Sequence, residues 1–380
     1  MYEAFFGLRQ KPFALQPDCD FVFDAQGYTE ALRILEHALT AQAELTVITG
    51  ETGCGKTMLV HGLLRQVGDD ISVGLIANTN PSFSSIAPWA LISFDQKPIA
   101  GAPGELQQQL MLHLIAEYGS GRRCLLVIDE AQNLAVPLLE ELNLVMALNE
   151  GDEPLLQVVL VGQPELLDRL NDSRLGRFTD RIAFVHKMQR LAASETGPYV
   201  RHRLATAGSV EPIFTETATR ALHVFSGGTP WLINMLADLA MVYAFANDQR
   251  VVDLDLIQRV VSDRQASGIT PFTDLDRPEI VEASKEAPLP EKDSIPASMD
   301  PGQPDADLIF PMEDVDPRDL ALEQEKAPAS AQLFAELLAA HRSPAGREAP
   351  GHPITPENSA HATARMSLRR RFLPRDENNG

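Results

Sequence analysis

Residues 50–57 read Gly50-Glu51-Thr52-Gly53-Cys54-Gly55-Lys56-Thr57, and how this stretch is read decides the fold. Residues 44–49 feed it as a strand, and residues 56–67 leave it with the periodicity of a helix. A glycine-rich turn in that setting cradles a phosphate. Glycines let successive backbone N–H groups converge on one anion, and the helix behind adds the positive end of its dipole. Lys56 is long enough to reach the β- and γ-phosphates of a nucleotide, and the Thr57 hydroxyl is placed to ligate Mg²⁺. The eight loop residues, with Met58 behind them, are the expected nucleotide contacts.

Working outward, residues 124–128 form a short, wholly apolar run that ends in Asp129-Glu130. Ligands in a parallel sheet sit at the carboxyl ends of strands, so this pair belongs beside the phosphate loop. Asp129 is expected to hold the Mg²⁺ shell and Glu130 to orient or deprotonate a water, which points to nucleotide hydrolysis rather than phosphorylation of a small molecule. The run at 157–161 leads to Gly162-Gln163-Pro164. There Gln163 reads either as an amide touching the γ-phosphate or water, or as part of a helix-opening turn. Arg169, Arg174, Arg177 and Arg181 follow, and one of them is expected to serve as an arginine finger across a subunit boundary.

Strand-like runs alternate with helical stretches up to about residue 190, the pattern of βαβ units, so the fold class is α/β. From 194 onward only helical periods recur, at 194–207, 215–225, 231–246 and 253–264. We therefore expect a phosphate-loop α/β subdomain at 1–190, a helical lid at 191–267 and a tail at 268–380. From residue 271 the chain holds 15 of its 27 prolines, and 271–325 carries 16 acidic against 4 basic residues. Such composition cannot offset its ordering entropy, so a disordered acidic tail is expected. Two islands interrupt it, a short partner-binding helix at 329–342 and an arginine-rich stretch at 365–375. Through the tail, a protein client would be recruited.

The formal charge of −21 over 380 residues divides into 20 basic against 32 acidic residues before 271 and 12 against 21 after it. That balance disfavours a nucleic-acid coat. It leaves a DNA-associated helper as an alternative, with Arg201, His202, Arg203 and Arg220 available for phosphates. Cys19, Cys54 and Cys124 cannot build a disulfide framework and fit a reducing compartment. With no leader-like opening and no long apolar run, a cytoplasmic protein without a membrane span is expected.

With these motifs in hand, residues 1–264 resemble the AAA+ ATPases, and more narrowly the general secretion pathway protein A (ExeA-like) family, which is related to transposition helper ATPases. The marks are Tyr2 with Phe5-Phe6-Gly7-Leu8, Pro12-Phe13, Pro17-Asp18 and Glu30-Ala31-Leu32, then the phosphate loop and Ile128-Asp129-Glu130-Ala131-Gln132. Gly162-Gln163-Pro164-Glu165-Leu166, His202-Arg203-Leu204 and Gly227-Gly228-Thr229-Pro230 complete them. The resemblance implies an AAA+ parallel-sheet subdomain with an all-helical lid, self-assembly into a homo-oligomer, ATP and Mg²⁺ as cofactors, and work on a secretion, pilus or polysaccharide-export complex. It also implies that the opening segment, 1–40, packs beside adenine, with Pro12, Phe13 and Tyr28 near the base, and that Arg181 is the finger with Arg177 as substitute. Gly176 and Thr179 stand where the family carries further arginines. After Gly-Gly-Thr-Pro the family has an arginine that senses the γ-phosphate; here Trp231 brings an indole without charge, which implies slow turnover or a nucleotide-switched role. Secretion members of the family also carry a membrane span and a periplasmic module, and the acidic tail occupies the corresponding region here.

Overall fold

The computed structural model describes residues 2–77, 79, 83–99, 101–149 and 154–267. The expected acidic tail, its helix at 329–342 and the 365–375 stretch lie outside the described residues. The chain opens with α1 (Tyr2–Phe6) and α2 (Gln26–Thr40). Strands and helices then alternate through β1 (Leu45–Thr49), α3 (Lys56–Gln66), β2 (Ile71–Ile76), α4 (Ala87–Ser93), α5 (Pro103–Gly119), β3 (Arg123–Ile128), α6 (Val136–Met146), β4 (Leu156–Gly162), α7 (Glu165–Leu170), α8 (Gly176–Thr179) and β5 (Ile182–Lys187). Four helices close the described part: α9 (Ala193–Thr206), α10 (Glu216–Ser226), α11 (Pro230–Ala246) and α12 (Leu254–Ala266).

The five strands form one parallel sheet in the order β2-β3-β4-β1-β5. Its three central strands are buried at all but one position, because both faces are covered. Alternation splits them between two cores. Leu126, Ile128, Val158 and Leu160 face α4, α5 and α6, whereas Leu125, Val127, Val159 and Val161 face α2 and α3. β1 lies between β4 and β5, so the loop that leaves β1 emerges beside the ends of β3 and β4. The edge strand β5 alternates half-buried and exposed residues, and the sequence reading did not pick it out; the same holds for α4. The N-terminus of α4 is satisfied by Glu141, a buried carboxylate on α6 that accepts the Ser85 hydroxyl at 2.7 Å and the Ile86 and Ala87 N–H groups at 2.9 and 3.2 Å. A carboxylate among three donors is the condition under which one is tolerated inside.

The helical part has its own core, and its caps follow from its residues. Thr215 accepts the Ala218 N–H to open α10, and Asp253 accepts the Leu256 N–H to open α12. α10 ends on left-handed glycines, and at Gly228 a Cβ would meet the Leu191 carbonyl oxygen at 2.2 Å. The opening segment belongs to this core rather than to the sheet. Tyr2, Leu8, Phe13 and Phe21 are buried with residues of α9 to α12, and only from α2 onward does the chain cover the sheet. Arg203, 7% exposed, staples the two together. Its guanidinium donates to the carbonyls of Pro12 (2.6 Å) and Ala14 (3.3 Å) and lies 4.7 Å from the Phe21 ring. Among the described residues no helix is long and apolar enough to cross a membrane.

Candidate nucleotide site

The loop between β1 and α3 is tied to the sheet by the Gly50 N–H, which donates to the Gly162 carbonyl at the end of β4 (3.1 Å). Lys56, the first residue of α3 and only 5% exposed, folds back over the loop and donates to the carbonyls of Gly50 (2.8 Å) and Glu51 (3.0 Å). One turn-position further, the Thr57 hydroxyl donates to Asp129 Oδ2 at 3.1 Å. The two motifs read separately from the sequence therefore meet in space.

Asp129 closes β3 and is 4% exposed. Burial pushes its carboxyl above the usual carboxylate range, against the opposing pull of the Glu130 N–H and the Thr57 hydroxyl. A desolvated carboxylate beside a hydroxyl is a pair of hard oxygen donors, and Mg²⁺ binds through such a minimal protein set, with waters and phosphates supplying the rest. The residues present thus fit that ion. No group of three or more His, Cys, Asp or Glu gathers to hold a metal by itself among the described residues.

Glu130 sits at φ 54°, ψ 36°, a left-handed conformation that a non-glycine residue adopts only when its surroundings hold it there. Its N–H donates to Asp129 Oδ1 at 2.9 Å, and its carbonyl accepts the Thr79 hydroxyl. Its carboxylate accepts the Gln132 amide at 2.6 Å. Gln163 lies just past β4, half-buried, and its N–H donates to Gln132 Oε1 at 2.9 Å. Thus Lys56, Thr57, Asp129, Glu130 and Gln163 come together at one end of the sheet.

The lid reaches the same place. The Trp231 N–H at the start of α11 donates to the Gly53 carbonyl at 3.2 Å. Gly53 has φ +79°, and a Cβ there would stand 2.6 Å from the Trp231 Cβ. Trp231 itself is 40% exposed. From the segment joining β5 to α9, Arg190 pairs with Glu51 of the loop, both half-exposed. Sequence reasoning missed Arg190, Thr79 and the role of Gln132. Only Gln132 had a local signal, its place in the Asp-Glu-Ala-Gln run.

The remaining expectations fare differently. Phe13 is 1% exposed, packed edge-on to Phe214 at 5.8 Å, and Pro12 is buried with it. The Phe13 ring has no face left for a base, which corrects the expectation of Phe13 and Pro12 as adenine contacts. Tyr28 is half-buried, packs against both the helical core and the α3 side of the sheet, and holds its hydroxyl over Gly62. Arg181 is engaged by Glu44 Oε2 at 2.6 Å and Asn143 Oδ1 at 3.2 Å. Arg177 is exposed on α8, with no hydrogen bond or ion pair among the described residues. Both lie before β5, whose first residue is in register with Leu45. Arg181, next to Ile182, is thus at the start of β1 and not at the loop end, about 15 Å away along the strand. Buried Arg203 is withdrawn from the set held available for DNA phosphates.

The fold and the loop geometry are those of an AAA-type nucleotide-binding domain: residues 39–170 match the family model described as AAA domain. The particular relative is general secretion pathway protein A of Aeromonas hydrophila, to which this chain is 36% identical over 247 residues, 65% of this chain and 45% of that one. The chain thus spans under half the length of the curated relative it matches. Among solved structures, Cdc6p from Pyrobaculum aerophilum superposes with a TM-score of 0.51 at 17% identity, over 62% of this chain and 66% of that one. The Aeropyrum pernix ORC1 protein, in a complex with DNA, gives 0.51 at 15% identity over 68% and 72%. At such identities these two establish the shared AAA+ fold alone.

Proposed function

We propose that this protein binds Mg-ATP and hydrolyses it to ADP and phosphate, assembles with copies of itself, and uses the nucleotide state to drive or switch assembly of a protein complex. The complex would be of the secretion, pilus or polysaccharide-export kind, served from the cytoplasmic side. The observation that carries the reading is the meeting of the Thr57 hydroxyl and the Asp129 carboxylate at 3.1 Å, beside a loop that Lys56 already spans. Bound there by Thr57 and Asp129, Mg²⁺ would neutralise charge developing on the phosphates. Lys56 would exchange its two loop carbonyls for phosphate oxygens. Glu130 takes a proton from the attacking water as its oxygen bonds to the γ-phosphorus, and the bond to the β–γ bridging oxygen breaks with its electron pair. Gln163 would sense the γ-phosphate from the end of β4. Trp231 occupies the lid position with no cation, which supports slow turnover and a switching role.

Calorimetry and turnover assays on three proteins test this. Lys56→Ala should lose ATP binding, while Glu130→Gln should keep it and turn over on the order of a hundredfold or more slowly. The reading fails if the native protein binds no ATP, or if Lys56→Ala hydrolyses as fast as the native chain.

A further inference from the structure

Gln132 lies in the short turn directly after Glu130 and is 9% exposed. Its amide is used at both ends. Oε1 accepts the Gln163 N–H at 2.9 Å, and Nε2 donates to Glu130 Oε2 at 2.6 Å. A backbone N–H can only donate, so the acceptor end of the amide is held toward β4 and the donor end must face the carboxylate. The fit there is close. A Cβ on Gly162 would meet Gln132 Oε1 at 2.9 Å and the Gln132 N at 3.2 Å.

The other restraints on Glu130 act on its backbone: the left-handed φ, the N–H on Asp129 and the carbonyl on Thr79. None of them fixes the side-chain torsions. Among the described residues only the Gln132 amide reaches the carboxylate, and that bond gives the carboxylate on its flexible side chain a direction. A neutral amide is also the chemically suitable holder. A lysine or arginine would form an ion pair and weaken the base, and a second carboxylate would compete with it for a proton.

We propose that Gln132 is a positioning residue for hydrolysis: it holds Glu130 by one oxygen, leaves the other for the water, and fixes that orientation relative to the end of β4. The inference rests on Glu130 being the base, as proposed above. It places a link between the strand end that carries Gln163 and the carboxylate, running through one side chain.

Two substitutions in the full chain test it. Gln132→Met fills similar volume with neither donor nor acceptor. Gln132→Glu keeps the acceptor for the Gln163 N–H and loses the donor, so it serves even where Gln132→Met fails to fold. Each should lower kcat roughly ten- to hundredfold, the scale of a misplaced catalytic group. Each should leave the ATP affinity measured by calorimetry within about twofold, because no bond to the phosphate loop is touched. In a Glu130→Ala background, which has no carboxylate to hold, adding either substitution should change the residual rate by less than about twofold. Equal losses in the native and Glu130→Ala backgrounds would overturn the proposal, since a structural role does not depend on Glu130. So would unchanged kcat, or a loss confined to ATP affinity. If Glu130→Gln hydrolyses as fast as the native protein, the base assignment itself is at fault, and that outcome is read independently of Gln132.

Discussion

Arg177 and Arg181 separate at the level of single side chains. Arg181 is committed within its own chain to Glu44 and Asn143, whereas Arg177 projects freely from α8. A finger must reach a neighbouring subunit's nucleotide, so the free guanidinium is the better candidate, reversing the order the resemblance implies. Arg177→Ala should lower kcat of the assembled protein on the order of a thousandfold with ATP binding retained. Arg181→Ala should instead cost about 1 kcal/mol of stability, because its pair with Glu44 is only partly buried, with hydrolysis close to native. Kinetics and melting curves of the two variants decide it, and the opposite assignment follows if Arg181→Ala alone removes turnover. At this scale the site was legible where its residues are consecutive. Lys56, Thr57, Asp129 and Glu130 each stand in a run whose chemistry needs no third dimension. Gln132 and Arg190 stayed hidden because their partners, Gln163 and Glu51, are 31 and 139 residues distant.

Among elements, the contact of α11 with the phosphate loop has the largest consequence. The Gly53 backbone is left-handed and faces the first turn of α11 with no room for a methyl group. Gly53→Ala must both strain the loop and push the lid back. We expect about 1–3 kcal/mol of lost stability and at least roughly tenfold weaker ATP binding, the equivalent of 1.4 kcal/mol. Gly104→Ala in α5, where a Cβ would meet nothing within 4 Å, is the control and should be neutral or slightly stabilising. Equal behaviour of the two variants in calorimetry and thermal melts would show that the contact does not govern binding. The buried strands β1, β3 and β4 were readable from short runs rich in β-branched and aliphatic residues, and α9 to α12 by their periods. β5 was not, because an edge strand buries only alternate residues and Ile182-Ala183-Phe184-Val185-His186-Lys187 ends in two polar ones.

For the whole molecule, the binding of the opening segment to the lid was the feature least visible beforehand. Tyr2, Phe13 and Phe21 read as a segment of the α/β part, yet they are buried in the helical core, Tyr2 bonded to Asp238 of α11, Phe13 edge-on to Phe214 and Phe21 under Arg203 of α9. Stability against pH is also a property of the assembled chain. His61 on α3, His113 on α5 and His223 on α10 are each held below the usual imidazole range, chiefly by burial. With folded values below the unfolded one, the unfolded chain takes up more protons as pH falls. Their stabilisation is therefore complete above about pH 6.5 and is lost progressively below it. Asp129, shifted upward by burial, works in the opposite direction at lower pH, in the carboxylate range. Urea midpoints should fall between pH 7 and 5.5, and less steeply for His223→Gln; a flat or rising midpoint would contradict the assignment.

The lid's seat on the phosphate loop also has an optical side. The chain has two tryptophans, Trp89 and Trp231. The second is partly open to solvent, and its backbone is bonded to Gly53. An indole in that position changes its polarity whenever the loop rearranges around a phosphate or the lid lifts from it. Trp231 is therefore a built-in fluorophore beside the loop, and with Trp89 replaced by phenylalanine the emission of this one side chain would follow lid and loop together without any label.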